Sequence, residues 1–156
     1  MTPNPPSDDA VHVVDRALAS LLLRLALGVI ILLHGLTRLF IGGLHAFVNS
    51  SAAPFQHDVL PMWEVRAFLT VLPFLEFTVG LLLLAGFALR WTLVTGALLM
   101  LALEFGTGMR SDWPTISNQL IYSLLYSLLL FCRRYDVYSL DGWRNRQRAV
   151  ALFQTE

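Results

Sequence analysis

Arg24, His34 and Arg38 stand within one apolar run, "RLALGVIILLHGLTRLF". Each brings nitrogens that donate hydrogen bonds, and the two guanidinium groups stay charged at any physiological pH. Two carboxylates occupy equally apolar company, Glu76 in "FLEFTVG" and Glu104 in "LALEFG". Gln119, Tyr122 and Tyr126 recur at i, i+3 and i+7 in "NQLIYSLLY", on one face of a helix. An imidazole can carry a proton near neutral pH, a carboxylate can orient it, and a guanidinium can polarise a carbonyl oxygen. Tyrosine rings can stack on a flat ligand. Such a set suits a quinone head group, whose two carbonyls accept hydrogen bonds and take up protons on reduction. We take His34 and Glu76 as the candidate catalytic pair. Arg24, Arg38, Glu104, Gln119, Tyr122 and Tyr126 are the candidate ligand-binding residues. The same residues admit a purely structural reading, in which buried polar pairs lock neighbouring helices into one register.

These residues need elements that hold them in an apolar setting, and the composition supplies membrane spans. Of 156 residues, 56% are hydrophobic and 14% charged, and the mean hydropathy is +0.61. Sustained apolar runs in such a chain signal an all-α integral membrane protein. Four runs stand out: 17–40, 67–89, 91–108 and 116–132. At about 1.5 Å per residue, about 20 residues cross a hydrocarbon core of about 30 Å. Backbone groups in lipid must be satisfied within the segment, so the runs are helices and the fold is a four-transmembrane-helix bundle. Residues 1–15 read as a flexible cytoplasmic N-terminus, 16–134 as the transmembrane domain, and 135–156 as a basic cytoplasmic tail. The acidic, proline-rich start, "MTPNPPSDDA", is unlike the basic n-region of a signal peptide, so the first span reads as retained.

A long link, residues 41–66, joins the first and second spans and carries His45, Phe47, Phe55, His57 and Trp63. Its aromatics argue for an ordered loop lying over one end of the bundle. The termini and the second turn hold Arg16, Arg90, Arg133, Arg134, Arg144, Arg146 and Arg148, which places both termini in the cytoplasm and the long loop outside. At about 100° per residue, Arg38 lies about 40° from both Arg24 and His34, so the three share a face. Counted from the outer ends, His34, Glu76, Glu104 and the polar face of the fourth span converge on the outer half of the bundle. Arg24 lies nearer the cytoplasm, where its stem can snorkel.

Several classes are excluded. Eleven basic residues, all arginine, balance eleven acidic ones, which leaves no field to attract nucleic acid. A single cysteine, Cys132, rules out a dithiol relay. Two carboxylates and one histidine within the spans fall short of a di-iron bundle site, and one histidine falls short of a bis-histidine haem, so no metal or haem is expected. Nothing in the chain carries electrons, so a redox role requires a membrane or periplasmic partner that supplies the redox centre.

The chain resembles the DoxX family. "RLALGVIILLHGLTRLF" is similar to its first-helix signature, "EFTVGLLLLAGFALRW" to its second-helix pattern, and "YDVYSLDGW" to the motif that follows its fourth helix. Arginine stands at position 38, where lysine is more usual in the family. The resemblance implies a bacterial inner-membrane protein linked to membrane redox complexes, in a family named for a thiosulfate:quinone oxidoreductase subunit. Carried onto matching positions, it implicates Arg24, His34, Arg38, Glu76 and Glu104. The expectation is therefore a quinone-interacting accessory subunit, enzymatic only as part of a quinone-linked oxidoreductase. A non-enzymatic assembly subunit is the alternative, and a small-solute or proton carrier ranks third, since there is no inverted repeat or pair of broken helices.

Overall fold

The computed structural model describes residues 8–56 and 60–153. In chain order these are α1 (Asp8–Leu36), a π-helical turn (Thr37–Ile41), α2 (Leu44–Ala52), a 3-10 turn (Ala53–Phe55), α3 (Met62–Ala85), α4 (Leu89–Met109), α5 (Trp113–Cys132), a second 3-10 turn (Arg133–Tyr135) and α6 (Leu140–Phe153). The described residues contain no strand. Four segments are long and apolar enough to cross a membrane: α1 with its π-turn, α3, α4, and α5. The protein is an all-α, multi-pass membrane protein. Leu22, Leu98 and Phe131 are among the large side chains that face outward, as a lipid-bathed surface requires.

The helix boundaries differ from the expected spans for local reasons. α1 starts at Asp8, so residues 8–15 of the expected N-terminal segment are helical; residues 1–7 lie outside the described residues. α3 ends at Ala85 rather than at 89 because Gly86 adopts the left-handed conformation (φ 63°, ψ 38°). There its own N–H and that of Phe87 turn back to Leu83 and Leu82, closing a Schellman turn. Arg90, expected in the turn, falls in the first turn of α4. α5 starts at Trp113 because Asp112 caps it, accepting from the Thr115 N–H at 3.3 Å, with Pro114 in the first turn. The expected tail contains α6, and residues 154–156 lie outside the described residues.

α1 packs most extensively on α3, and α4 on α5. Glycines bring the first pair close. A Cβ at Gly35 would sit 2.5 Å from the Phe77 backbone N and 2.7 Å from the Pro73 carbonyl oxygen. A Cβ at Gly80 would strike the Leu32 backbone. Between α4 and α5, Gly96 leaves the notch that admits the Tyr126 ring. Small residues at such crossings are the usual means of close approach where lipid removes the hydrophobic drive between helices. The π-turn, closed by the Gly42 N–H on the Thr37 carbonyl at 2.7 Å, ends α1; the two glycines that follow let the chain fold into α2. α2 thus lies at the end of the bundle away from the termini, with Val48 and Ala52 buried in the core. His57 lies outside the described residues.

Candidate functional site

Beneath α2, between the halves of α3 and α4 nearest to it, lies a cavity of about 360 Å³. Its walls are mostly apolar: Phe47 and Phe55 from the α2 segment, Phe68, Leu69 and Leu72 from α3, and Ala102, Leu103 and Phe105 from α4. Ligand pockets generally combine such walls with a few polar groups that set orientation. Here those groups are Arg38, Arg110, Glu64, Ser51 and Thr107. Two phenylalanines of the α2 segment cover the two arginines: the Phe47 ring lies 4.6 Å from the Arg38 guanidinium carbon, and the Phe55 ring 5.0 Å from that of Arg110. Such cation–π contacts hold a guanidinium in place without consuming its hydrogen-bond donors.

The π-turn delivers Arg38. One extra residue per turn changes the direction of the helix end, a feature that recurs at functional sites. Arg38 Nη1 donates to both oxygens of Glu76, whose side chain is only 2% exposed. Nη2 and Nε are left without a protein acceptor among the described residues. Arg38 therefore combines a charge neutralised by a buried partner with free donors at the edge of an apolar cavity. Pro73, three residues before Glu76, has no N–H to offer the Leu69 carbonyl and lies where Gly35 brings α1 against α3.

The other expected site residues are distributed over separate contacts. His34 is half-buried and meets Tyr122 edge-on, ring centres 6.3 Å apart, between α1 and α5. It is not among the residues lining the cavity. Glu104 accepts from Ser123 Oγ at 2.5 Å, joining α4 to α5. Gln119 Nε2 donates to Thr107 Oγ1 at 3.1 Å, and Thr107 lines the cavity, so Gln119 supports the wall from behind. Tyr126 is 1% exposed, and its hydroxyl has no protein partner among the described residues. Of the expected site residues only Arg38 lines the cavity; the others sit in contacts between α1, α3, α4 and α5 around it.

Arg24 lies at the opposite end. It is 2% exposed rather than snorkelling to a polar surface. Nη1 donates to the Leu83 carbonyl at 3.1 Å, Nη2 to the Tyr138 carbonyl at 2.6 Å, and Nε lies 3.4 Å from Asp136 Oδ1. The segment after α5 supplies that enclosure. Asp141 also accepts from the Ala88 and Leu89 N–H groups at 3.1 and 2.8 Å, capping α4, while its own N–H donates to Gly86. Gly86 is where Arg24 and Ser139 approach so closely that a Cβ would overlap both. Arg24 thus lies apart from the cavity: Nη1 and Nη2 are taken by backbone carbonyls, while Nε faces Asp136 Oδ1 as an ion pair without a hydrogen bond.

A family model described as DoxX matches residues 19–107, more than half of the chain. The chain belongs to the DoxX family. Comparison with curated proteins and with solved structures returned no match. The DoxX match runs from α1 through most of α4 and includes Arg24, His34, Arg38, Glu76 and Glu104; Gln119, Tyr122, Tyr126 and the Asp136 and Tyr138 contacts of Arg24 lie beyond it.

Sequence reasoning missed the DoxX chain's cavity walls and Arg110. Phe47 and Phe55 belong to the loop aromatics whose order was expected, but nothing local says that they seat on arginines. Arg110 carries no signal of its own; it sits one residue past α4 and pairs with Asp112 at 3.6 Å. The sequence signal that was available for Arg24 is the "YDVYSLDGW" motif, whose acids are the natural partners of a buried guanidinium.

Proposed function

We propose that this DoxX protein is an accessory subunit of a bacterial inner-membrane redox complex, and that it holds a quinone head group in the cavity beneath α2. One observation carries the reading: Arg38, neutralised by buried Glu76, lines an apolar cavity while keeping Nη2 and Nε unpaired among the described residues. The Arg38 side chain is partly exposed, so a ligand oxygen in the cavity can accept from those charged donors. A quinone, when bound, supplies two-electron chemistry coupled to proton uptake. The chain's part is to bind and orient. Arg38 donates to a ring oxygen, Glu76 holds Arg38, and Phe47 and Phe55 keep water from the ring. His34, one turn before Arg38 and outside the cavity lining, is the group proposed to carry protons; its ring meets Tyr122 edge-on. Electrons would come from a partner subunit. The arginines at the termini end support a cytoplasmic orientation for that end, with α2 outside.

A second reading has its own support. Arg24 is buried, donates to two backbone carbonyls and pairs with Asp136, as expected of charges that only fix helix register. On that reading the chain is an assembly subunit, and the Arg38–Glu76 pair is a further lock. The two readings part on ligand content. Protein purified in mild detergent is extracted with organic solvent and its quinone quantified by mass spectrometry, beside folded Arg38→Gln and Glu76→Gln. About one quinone per chain, lost in both variants, supports the redox reading. Wild-type protein without quinone, and with no rise in melting temperature on adding it, leaves the assembly reading.

A further inference from the structure

We infer that the cavity's ligand is a ring-headed amphiphile whose apolar tail leaves sideways, between α3 and α4 past Phe105, directly into the lipid. The inference rests on the quinone reading and sharpens it, because it selects lipid-borne over water-soluble quinones.

The cavity volume of about 360 Å³ lies at the lower end of ligand-site sizes, enough for a head group but not for a long tail as well. A tail must find an exit. Towards the α2 end the way is obstructed by Phe47 on Arg38 and Phe55 on Arg110. The groups found there, Glu64 and Arg110, are charged and would repel a hydrocarbon chain. On the side of α4 the wall is of another kind. Phe105 lines the cavity and is nonetheless 63% exposed, so the cavity reaches the outer surface of the bundle there. Phe105 precedes the last residue of α4 by four positions, about 6 Å of helix, which sets it at the margin of the hydrocarbon layer. Ala102 and Gly106, one turn apart and also lining the cavity, leave room on either side of its ring. Across the gap stands Phe68, half-buried on α3. The gap is thus small, apolar and open to lipid.

Gly106 offers a way to close it without disturbing the polar floor. A Cβ there would meet only Phe55 Cζ, at 4.0 Å, so a larger residue can be built in open space. The experiment measures binding, by isothermal titration in detergent micelles corrected for partition, of two benzoquinones with the same ring, one with a decyl tail and one with none. Wild type, Gly106→Leu and Ala102→Phe are compared, each checked for helical content. Apolar burial of even a short stretch of tail predicts that wild type favours the tailed probe by about tenfold or more. Gly106→Leu or Ala102→Phe, whichever is folded, is expected to abolish that preference, bringing the ratio of the two affinities to about one whatever either probe loses in absolute terms. Equal wild-type affinities for the two probes, or a preference that survives the blocked gap, would overturn the sideways exit and leave the head-group site standing. Binding of neither probe to wild type would remove the quinone reading itself, and the exit with it.

Discussion

Two arginines on one helix are put to opposite uses. Arg24 gives its donors to the Leu83 and Tyr138 carbonyls and lies against Asp136. Arg38 spends one nitrogen on Glu76 and keeps the rest. The two sites should respond differently to substitution. Arg24→Lys preserves the charge, but a single ammonium cannot reach both carbonyls that the planar fork spans and also face Asp136. Each buried acceptor left unmet costs about 1–3 kcal/mol, so a clear fall in melting temperature in detergent is expected. An unchanged melting temperature would show that the enclosure does not depend on the fork. At the other site, Arg38→Leu or Glu76→Leu alone leaves an uncompensated charge and should destabilise by about 3–5 kcal/mol. The double substitution should cost clearly less than the sum of the two, a coupling read from a double-mutant cycle in denaturant. Additive losses would mean that the pair is not energetically linked.

At the scale of elements, the contact between α1 and α3 depends on two glycines and should be intolerant of one carbon. Gly35→Ala and Gly80→Ala place a methyl group against backbone atoms that cannot turn aside. Overpacking of this kind costs about 1–3 kcal/mol or more. Gly108→Ala is the control: its Cβ would find only Ile116 Cδ1, at 3.8 Å, so the better helix propensity should leave stability equal or raise it by up to about 1 kcal/mol. Thermal unfolding of the three variants checks the contrast, and comparable losses in all three would refute the close-approach account. The α3–α4 turn shows a different dependence. Gly86 lets the chain reverse, but Asp141, more than fifty residues later, caps the helix that follows. The start of α4 is thereby tied to α6, of which Asp141 is the second residue.

At the scale of the molecule, four spans put the termini on one side and α2 on the other. If the arginine-rich end is cytoplasmic, a cysteine at Ser50 in a Cys132→Ser background should react with an impermeant maleimide added to intact spheroplasts. One at Gln147 should react only after lysis. The reverse pattern would invert the orientation and move the cavity to the cytoplasmic leaflet.

The sequence by itself determined the class of fold, the four spans and the family. Hydropathy is a property of each segment summed over about 20 residues, and lipid leaves a backbone no choice but the helix. It also marked Arg24, Arg38 and Glu76 as residues needing partners, because a charge in an apolar run is costly wherever the run packs. Which partner each took was settled only by tertiary structure. A periodic helix places Arg24, His34 and Arg38 on one face, yet the π-turn redirects Arg38 to Glu76, His34 meets Tyr122, and Arg24 finds Asp136 from beyond α5. The cavity likewise joins α2, α3 and α4, three segments separated along the chain. Its walls are ordinary phenylalanines and leucines whose common purpose is set by where the glycine contacts and the caps allow the helices to meet.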